Sequence, residues 1–185
     1  MIKKLSFIVL AGVLAVAATS CNHARQGWWP RSLDAVSGAT RCGKFKAEHY
    51  RKVDAVNKIA DFLEKSGPYF FATADQDQPR VRPFGTAEIF EGKLYIQTGK
   101  VKDVYKQLLA NPKAEICGFT GTEWIRIQCE LIPDERIEAK QDMLDKNPAL
   151  RAMYKADDDN TIVLYLRNAT ATISSFSAPS RSFQF

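Results

Sequence analysis

Four short stretches of the chain carry residue types that could do chemistry. In "QPRVRPFG", Arg80 and Arg82 fall on one face of an extended segment and Val81 on the other. Two guanidiniums on an otherwise apolar strand need an anion or water, so a bound ligand and a solvated face both satisfy them. In "QTGKVKDVYKQL", Thr98, Gly99, Lys100 and Lys102 stand where a strand gives way to a helix. The first N–H groups of a helix lack partners and its dipole is positive there, so a hydroxyl and two ammoniums at that end suit a phosphate. Lysines on a solvated helix start are the plainer reading, and the upstream glycine of a Walker motif is missing. Trp124 and Arg126 share one face of "EWIRIQCELI" and could flank a planar ring or form a cross-strand packing pair. The fourth stretch, "DAVSGAT", offers the Thr40 hydroxyl on a backbone with little side-chain bulk; a flexible linker would look similar.

Taken together, the two basic pairs and the aromatic describe a phosphorylated planar cofactor, of which FMN is the obvious case. No acid or base stands out, so no catalytic residue is assigned. The only histidines, His23 and His49, lie far in sequence from any Cys or acid cluster, and no metal site is expected. Beyond Cys21, the chain holds Cys42, Cys117 and Cys129, an odd number with no CxxC. Cys117 and Cys129 sit in apolar runs and read as small buried hydrophobes.

The elements that must position these residues follow from periodicity. Val53, Val56, Ala60 and Leu63, with Ile59 and Phe62, form a 3.6-residue stripe closed by Gly67-Pro68. "YFFATAD", "RVRPFGTAEIF" and "KLYIQTG" read as strands, the second bent at Pro83 and Gly85 and joined to the third by a tight turn. Val101, Val104, Tyr105, Leu108 and Leu109 predict an amphipathic helix ended by Asn111-Pro112. "AEICGF" and the strictly alternating "EWIRIQCELI" are strands. Asp134 is placed to cap a helix to about Lys146, Pro148 to open a shorter one through Tyr154, and "TIVLYLRNATATISSFS" closes the chain as a long strand. Strands dominate without a βαβ alternation. The expected fold is therefore mainly β with peripheral helices (α+β), an antiparallel barrel.

Composition agrees with one globular domain: 185 residues, 45% hydrophobic and 25% charged. Lys3 and Lys4, the apolar "LSFIVLAGVLAVAA" and the small residues before Cys21 predict a signal peptide over residues 1–20. "ATSC" resembles a bacterial lipobox, which implies lipidation at Cys21 and an exported, membrane-anchored protein facing the periplasm or cell exterior; diacylation supplies the two chains that stable anchoring needs. Residues 21–52 then form an arm that contains Trp28, Trp29 and the DAVSGAT motif, and residues 53–185 form the domain. Without the leader, 24 basic residues face 21 acidic ones, a net +3 with the signs interspersed, which argues against a nucleic-acid partner.

Val53 to Phe185 resembles the pyridoxamine 5′-phosphate oxidase-like family, the FMN-binding split barrels. The resemblance rests on "GPYFFATADQDQPRVRPFG", "LYIQTGKVKDVYKQLLANPKAEICGF", "EWIRIQCEL", "NPALRAMYKADDDNTIVLYLRNATATISSFS" and the closing "SFQF". It implies a six-stranded antiparallel split β-barrel that forms a homodimer with FMN at the subunit interface. Arg80, Arg82, Pro83 and Phe84 would line the ring and ribityl chain. Thr98, Lys100 and Lys102 would hold the phosphate, with Trp124 and Arg126 near the ring. The chain has Pro83-Phe84-Gly85 where true pyridoxamine-phosphate oxidases carry a lysine, and "APSRSFQF" lacks their C-terminal histidine, so pyridoxamine phosphate is not the expected substrate. "DAVSGAT" is similar to the covalent flavinylation sequence of electron-transport subunits, which implies a second FMN joined to Thr40 by a flavin transferase. The expectation is a membrane-tethered FMN-dependent oxidoreductase or electron-transfer flavoprotein with a redox partner. The alternatives are a non-catalytic split barrel holding FMN, haem or a deazaflavin, and a structural lipoprotein that uses Trp28 and Trp29 as its contact.

Overall fold

A computed structural model describes residues 37–185, with side chains from Arg51 onward. The leader, Cys21, Trp28, Trp29 and the side chains of Thr40, Cys42 and His49 lie outside the described part. The first helix, α1 (Ser37–Ser66), begins inside the DAVSGAT stretch rather than near Val53. Its stripe is as expected, with Val56, Ile59, Phe62 and Leu63 buried in the barrel core. Gly67 ends it with φ +66°, a left-handed conformation that glycine adopts without strain.

The strands are β1 (Tyr69–Asp75), β2 (Gln78–Phe84), β3 (Glu88–Phe90), β4 (Lys93–Gly99), β5 (Lys113–Phe119), β6 (Glu123–Asp134), β7 (Thr161–Ser175) and β8 (Arg181–Gln184). They form one antiparallel sheet in the order β2-β1-β5-β6-β7-β4-β3, with β8 added beside β7. Six strands are long, and β3 and β8 are short. The predicted single strand over "RVRPFGTAEIF" is two: β2 pairs with β1 at one edge of the sheet and β3 pairs with β4 at the other. Only Gly85, Thr86 and Ala87 join them, so the barrel is closed by covalent chain rather than by a ladder. Thr86 ties the seam: Tyr69 of β1 donates its hydroxyl to the Thr86 carbonyl at 2.6 Å, and the Gln97 N–H of β4 donates to Thr86 Oγ1 at 3.0 Å. Below that seam, β2 and the far end of β4 each keep one edge without a neighbouring strand.

α2 (Asp103–Ala110) follows β4 and buries Val104 and Leu108 in the same core. Leu109, placed on its apolar stripe from the sequence, is exposed instead, because an eight-residue helix at the rim covers the core with one narrow row, and Val101 is exposed because it lies in the turn before the helix. α3 (Ile137–Lys146) lies on the outer face of the sheet, where Ala139 and Met143 cover Tyr95 and Val163. Asp134 does not cap it. Its N-cap is Arg136, and the Asp134 carboxylate accepts the Arg136 backbone N–H, its guanidinium and the Tyr95 hydroxyl. A short 3-10 turn at Pro148–Ala152 precedes β7. Ile125, Ile127, Cys129 and Leu131 of β6 all point into the barrel, as their alternation predicts. Among the described residues, no helix is long and apolar enough to cross a membrane.

Candidate cofactor site

Strand register decides which candidate residues can meet. Paired residues in adjacent strands share a face. Arg82 stands opposite Phe71, and that row continues through Ile116, Ile127 and Ala171, all fully buried. Arg80, Arg82 and Phe84 therefore belong to the inner face, at its open edge. Pro83 stands opposite Phe70, and that row continues through Cys117, Arg126 and Thr172 on the outer face. Trp124 lies on this outer face as well, opposite Phe119, with its ring 5.1 Å from Phe176. Within one chain, the residues expected around a single ring are thus divided between the two faces of the sheet.

On the inner face, Arg82 clips the edge strand to α2. Its Nη1 donates to Thr73 Oγ1 at 2.7 Å and its Nη2 to Gln107 Oε1 at 2.8 Å, while Thr73 Oγ1 donates to Gln107 Oε1 at 2.6 Å. Partial burial and the neighbouring Arg80 lower the Arg82 pKa. Arg80 is more exposed and meets Asp75 at 3.3 Å. Phe84 rests on Phe71 with ring centroids 4.9 Å apart.

The β4–α2 junction brings Thr98, Lys100 and Lys102 together. Thr98 is buried on the inner face, and its hydroxyl has no partner. On the opposite face, Gln97 of β4 and Thr161 at the start of the neighbouring β7 are also buried with unpartnered side-chain polar atoms. The turn between β4 and α2 is held from below: the Lys100 N–H donates to the Asn160 carbonyl at 2.7 Å and the Val101 N–H to Asn160 Oδ1 at 3.2 Å. A Cβ at Gly99 would come within 2.9 Å of Asn160 Oδ1, so a larger residue here would push the Asn160 side chain off the turn. Asn160 is in turn fixed by Asp158, whose carboxylate accepts the backbone N–H groups of Lys155, Asn160 and Thr161. Lys100 pairs with Glu135 at 2.8 Å, a contact that raises its pKa. The Lys102 ammonium lies 5.7 Å from the centre of the Tyr154 ring. Arg126 on the outer face pairs with Glu115 at 2.6 Å.

Sequence reasoning missed Thr73, Gln107, Glu135, Asn160 and Asp158, all of which hold candidate residues in place. Their signal is positional and lies across the fold, since each is ordinary polar chain in its own neighbourhood. Of the two cysteines described, Cys129 is buried and Cys117 half-buried on the outer face. Among the described residues, no three His, Cys, Asp or Glu side chains converge as a metal site would require.

An antiparallel sheet split along one seam, with helices at its rim and outer face, is the architecture of a split β-barrel protein. Residues 55–146 match the family model described as pyridoxamine 5′-phosphate oxidase. A NimC/NimA family protein from Clostridium acetobutylicum is 37% identical, with 75% of this chain and 98% of that one covered at a TM-score of 0.73. The chain belongs to the pyridoxamine 5′-phosphate oxidase-like family. More distant structures share the fold. General Stress Protein 26 from Bacillus anthracis has 15% identity, 68% and 96% coverage of the two chains and a TM-score of 0.54. A haem-binding protein from Mycobacterium smegmatis has 15% identity, 70% and 57% coverage and a TM-score of 0.53. No curated protein shows significant similarity to the chain.

Proposed function

We propose that the chain is a membrane-tethered FMN-dependent oxidoreductase or electron carrier that works as a homodimer. The observation that carries the FMN reading is the β4 end, where Thr98 keeps a buried hydroxyl without a partner directly before a turn bearing Lys100 and Lys102. Leaving such groups unpaired costs about 1–3 kcal/mol each, which a bound ligand or water would recover. Two ammoniums, a hydroxyl and the start of α2 fit a phosphate. The Arg82 edge, with Phe84 beside it, fits the polar chain and ring of the same ligand. Bound FMN would supply hydride or single-electron transfer, and the protein would supply orientation and electrostatics. Lys100 and Lys102 would hold the phosphate. Arg82, held by Thr73 and Gln107, would present a fixed positive edge.

Trp124 and Arg126 stand on the other face of the sheet, so they would reach this ligand from the partner subunit. That face supports a second copy: Phe70, Val81, Phe119 and Phe176 are each more than half exposed there or at its margin. Exposed aromatics collected on a sheet with no helix over them are the composition of an interface.

The tether and the second flavin belong to the same proposal: lipid at Cys21, and FMN phosphate esterified to Thr40 in the first turn of α1 by a flavin transferase. A phosphoester there would sit at the positive end of that helix. Protein purified from a host with the transferase is expected to show flavin absorption. Part of it should be released by denaturation and lost in Lys100→Ala/Lys102→Ala, and part should be retained through acid precipitation and lost in Thr40→Ala. A Soret band would replace FMN with haem, a deazaflavin spectrum would replace it with that cofactor, and colourless protein would leave a structural role.

A further inference from the structure

We infer that the chain carries a second ligand site, for a protonated amine with an apolar body, in the cleft between α1 and the β2–β3 seam. The cleft has a volume of about 820 Å³, within the roughly 300–1,000 Å³ range of small-molecule sites. Its floor is apolar: Leu63 and Tyr69 are almost wholly buried, and Ile89 and Ala87 flank them. Its charge is negative. Asp61 and Glu64, three residues apart on one face of α1, form one wall and Glu88 of β3 stands in another. The single ammonium in the lining, Lys146, already donates to Asp142 Oδ2 and to the Ile89 carbonyl, each at 2.7 Å. Glu88 accepts from Asn147 at 2.8 Å, which leaves further lone pairs for a ligand. Three carboxylates against one neutralised ammonium repel phosphate and carboxylate ligands and attract a cation, while the floor rewards an apolar tail.

The space is open to a direct block. A Cβ at Gly85, which lines the cleft, meets nothing within 4 Å, and Gly85 has no positive φ, so Gly85→Val starts from an unobstructed Cβ beside the cleft. The site is separate from the β4–α2 turn, and its ligand has the opposite charge from a phosphate.

The test is calorimetric titration of the full chain with 4-phenylbutylamine, 4-phenylbutanol and 4-phenylbutyrate at low and high salt. The amine should bind about tenfold or more tighter than the alcohol, with the advantage shrinking in high salt, and the carboxylate should not bind. Asp61→Asn/Glu64→Gln should remove the amine's advantage and leave the alcohol unchanged, and Gly85→Val should weaken both. Equal affinity for amine and alcohol, no amine binding, or an unchanged amine affinity in the Asp61/Glu64 variant overturns the inference. Flavin content is read on the same samples. In the unaltered chain, flavin without amine selectivity rejects this site alone, and amine selectivity without flavin rejects the flavin reading alone.

Discussion

The two described cysteines lie on opposite faces of the sheet. Cys129 points into the barrel, where burial first, and the carboxylates of Glu115 and Glu130 after it, push its thiol up to about 12. Cys117 lies half-buried on the outer face. Folded protein diluted to the monomer and treated with a maleimide at neutral pH should therefore label Cys117 and spare Cys129, as read by peptide mapping; labelling of Cys129 before unfolding would contradict its placement. The raised value also gives a sign. The unfolded thiol titrates near ~8.5, so its contribution to stability is complete below that pH and is lost as the pH rises toward 12. Cys129→Ala should flatten this part of the alkaline denaturation profile. Asp158 works at the acid end. Burial opposes its charge, but the backbone N–H groups of Lys155, Thr161 and Asn160 outweigh that and hold the carboxyl at about 2. The unfolded value is about 3.9, so this contribution is present above pH ~4 and disappears as the pH falls toward 2. Asp158→Asn keeps an acceptor oxygen and removes the charge, and should erase that acid slope in a urea-midpoint series. Because Asp158 fixes Asn160, and Asn160 holds the Lys100 and Val101 N–H groups, the same variant should weaken FMN binding.

Element by element, the junction between β2 and α2 is the place where the barrel edge is secured. A strand with one open edge is a poor anchor for a ligand, and the Arg82–Thr73–Gln107 network supplies the missing restraint. Gln107→Ala should cost about 1–2 kcal/mol in equilibrium unfolding. Arg82→Lys should cost about as much, because an ammonium cannot reach Thr73 and Gln107 with two separate nitrogens; full retention of stability by the lysine variant would reduce Arg82 to a point charge. None of this was visible in the local pattern. Alternation placed Arg80 and Arg82 on one face of β2, and Trp124 and Arg126 on one face of β6, correctly in both cases. It could not say that these are opposite faces of one sheet, because that depends on the register through β1 and β5. The β6 core row was legible because each of its inward residues is apolar. The start of α1 was not, since Ser37-Gly38-Ala39-Thr40 lacks a stripe. β8 was missed because four residues beside β7 show too short an alternation. The break between β2 and β3 was half legible: Pro83 and Gly85 marked a bend, but its consequence, closure of the barrel through three residues, belongs to the topology.

At the scale of the whole molecule, the proposed function would make ligand binding and association one equilibrium, because the two faces are separate. If a flavin lies against Arg82 and Lys100 of one chain and Trp124 of its partner, each monomer holds only part of the site. The outer face can be tested without touching those residues. Phe70 is 58% exposed and Phe119 57% exposed, and both lie in the rows that carry Arg126 and Trp124. A charge at either position leaves the inner core intact and places an unpaired carboxylate in the middle of the proposed interface, where burying it is costly. Phe70→Glu and Phe119→Asp should therefore give folded monomers by light scattering, with thermal midpoints lowered and made independent of protein concentration. Dissociable flavin should fall in step with the dimer fraction, although every side chain of the inner face is still present. Addition of FMN to dilute wild-type protein should shift it toward the dimer, since a ligand that binds only the assembled form must favour assembly. Monomers that retain flavin at full affinity would show that the inner face and the β4–α2 turn suffice alone, and would free the outer face for a different partner.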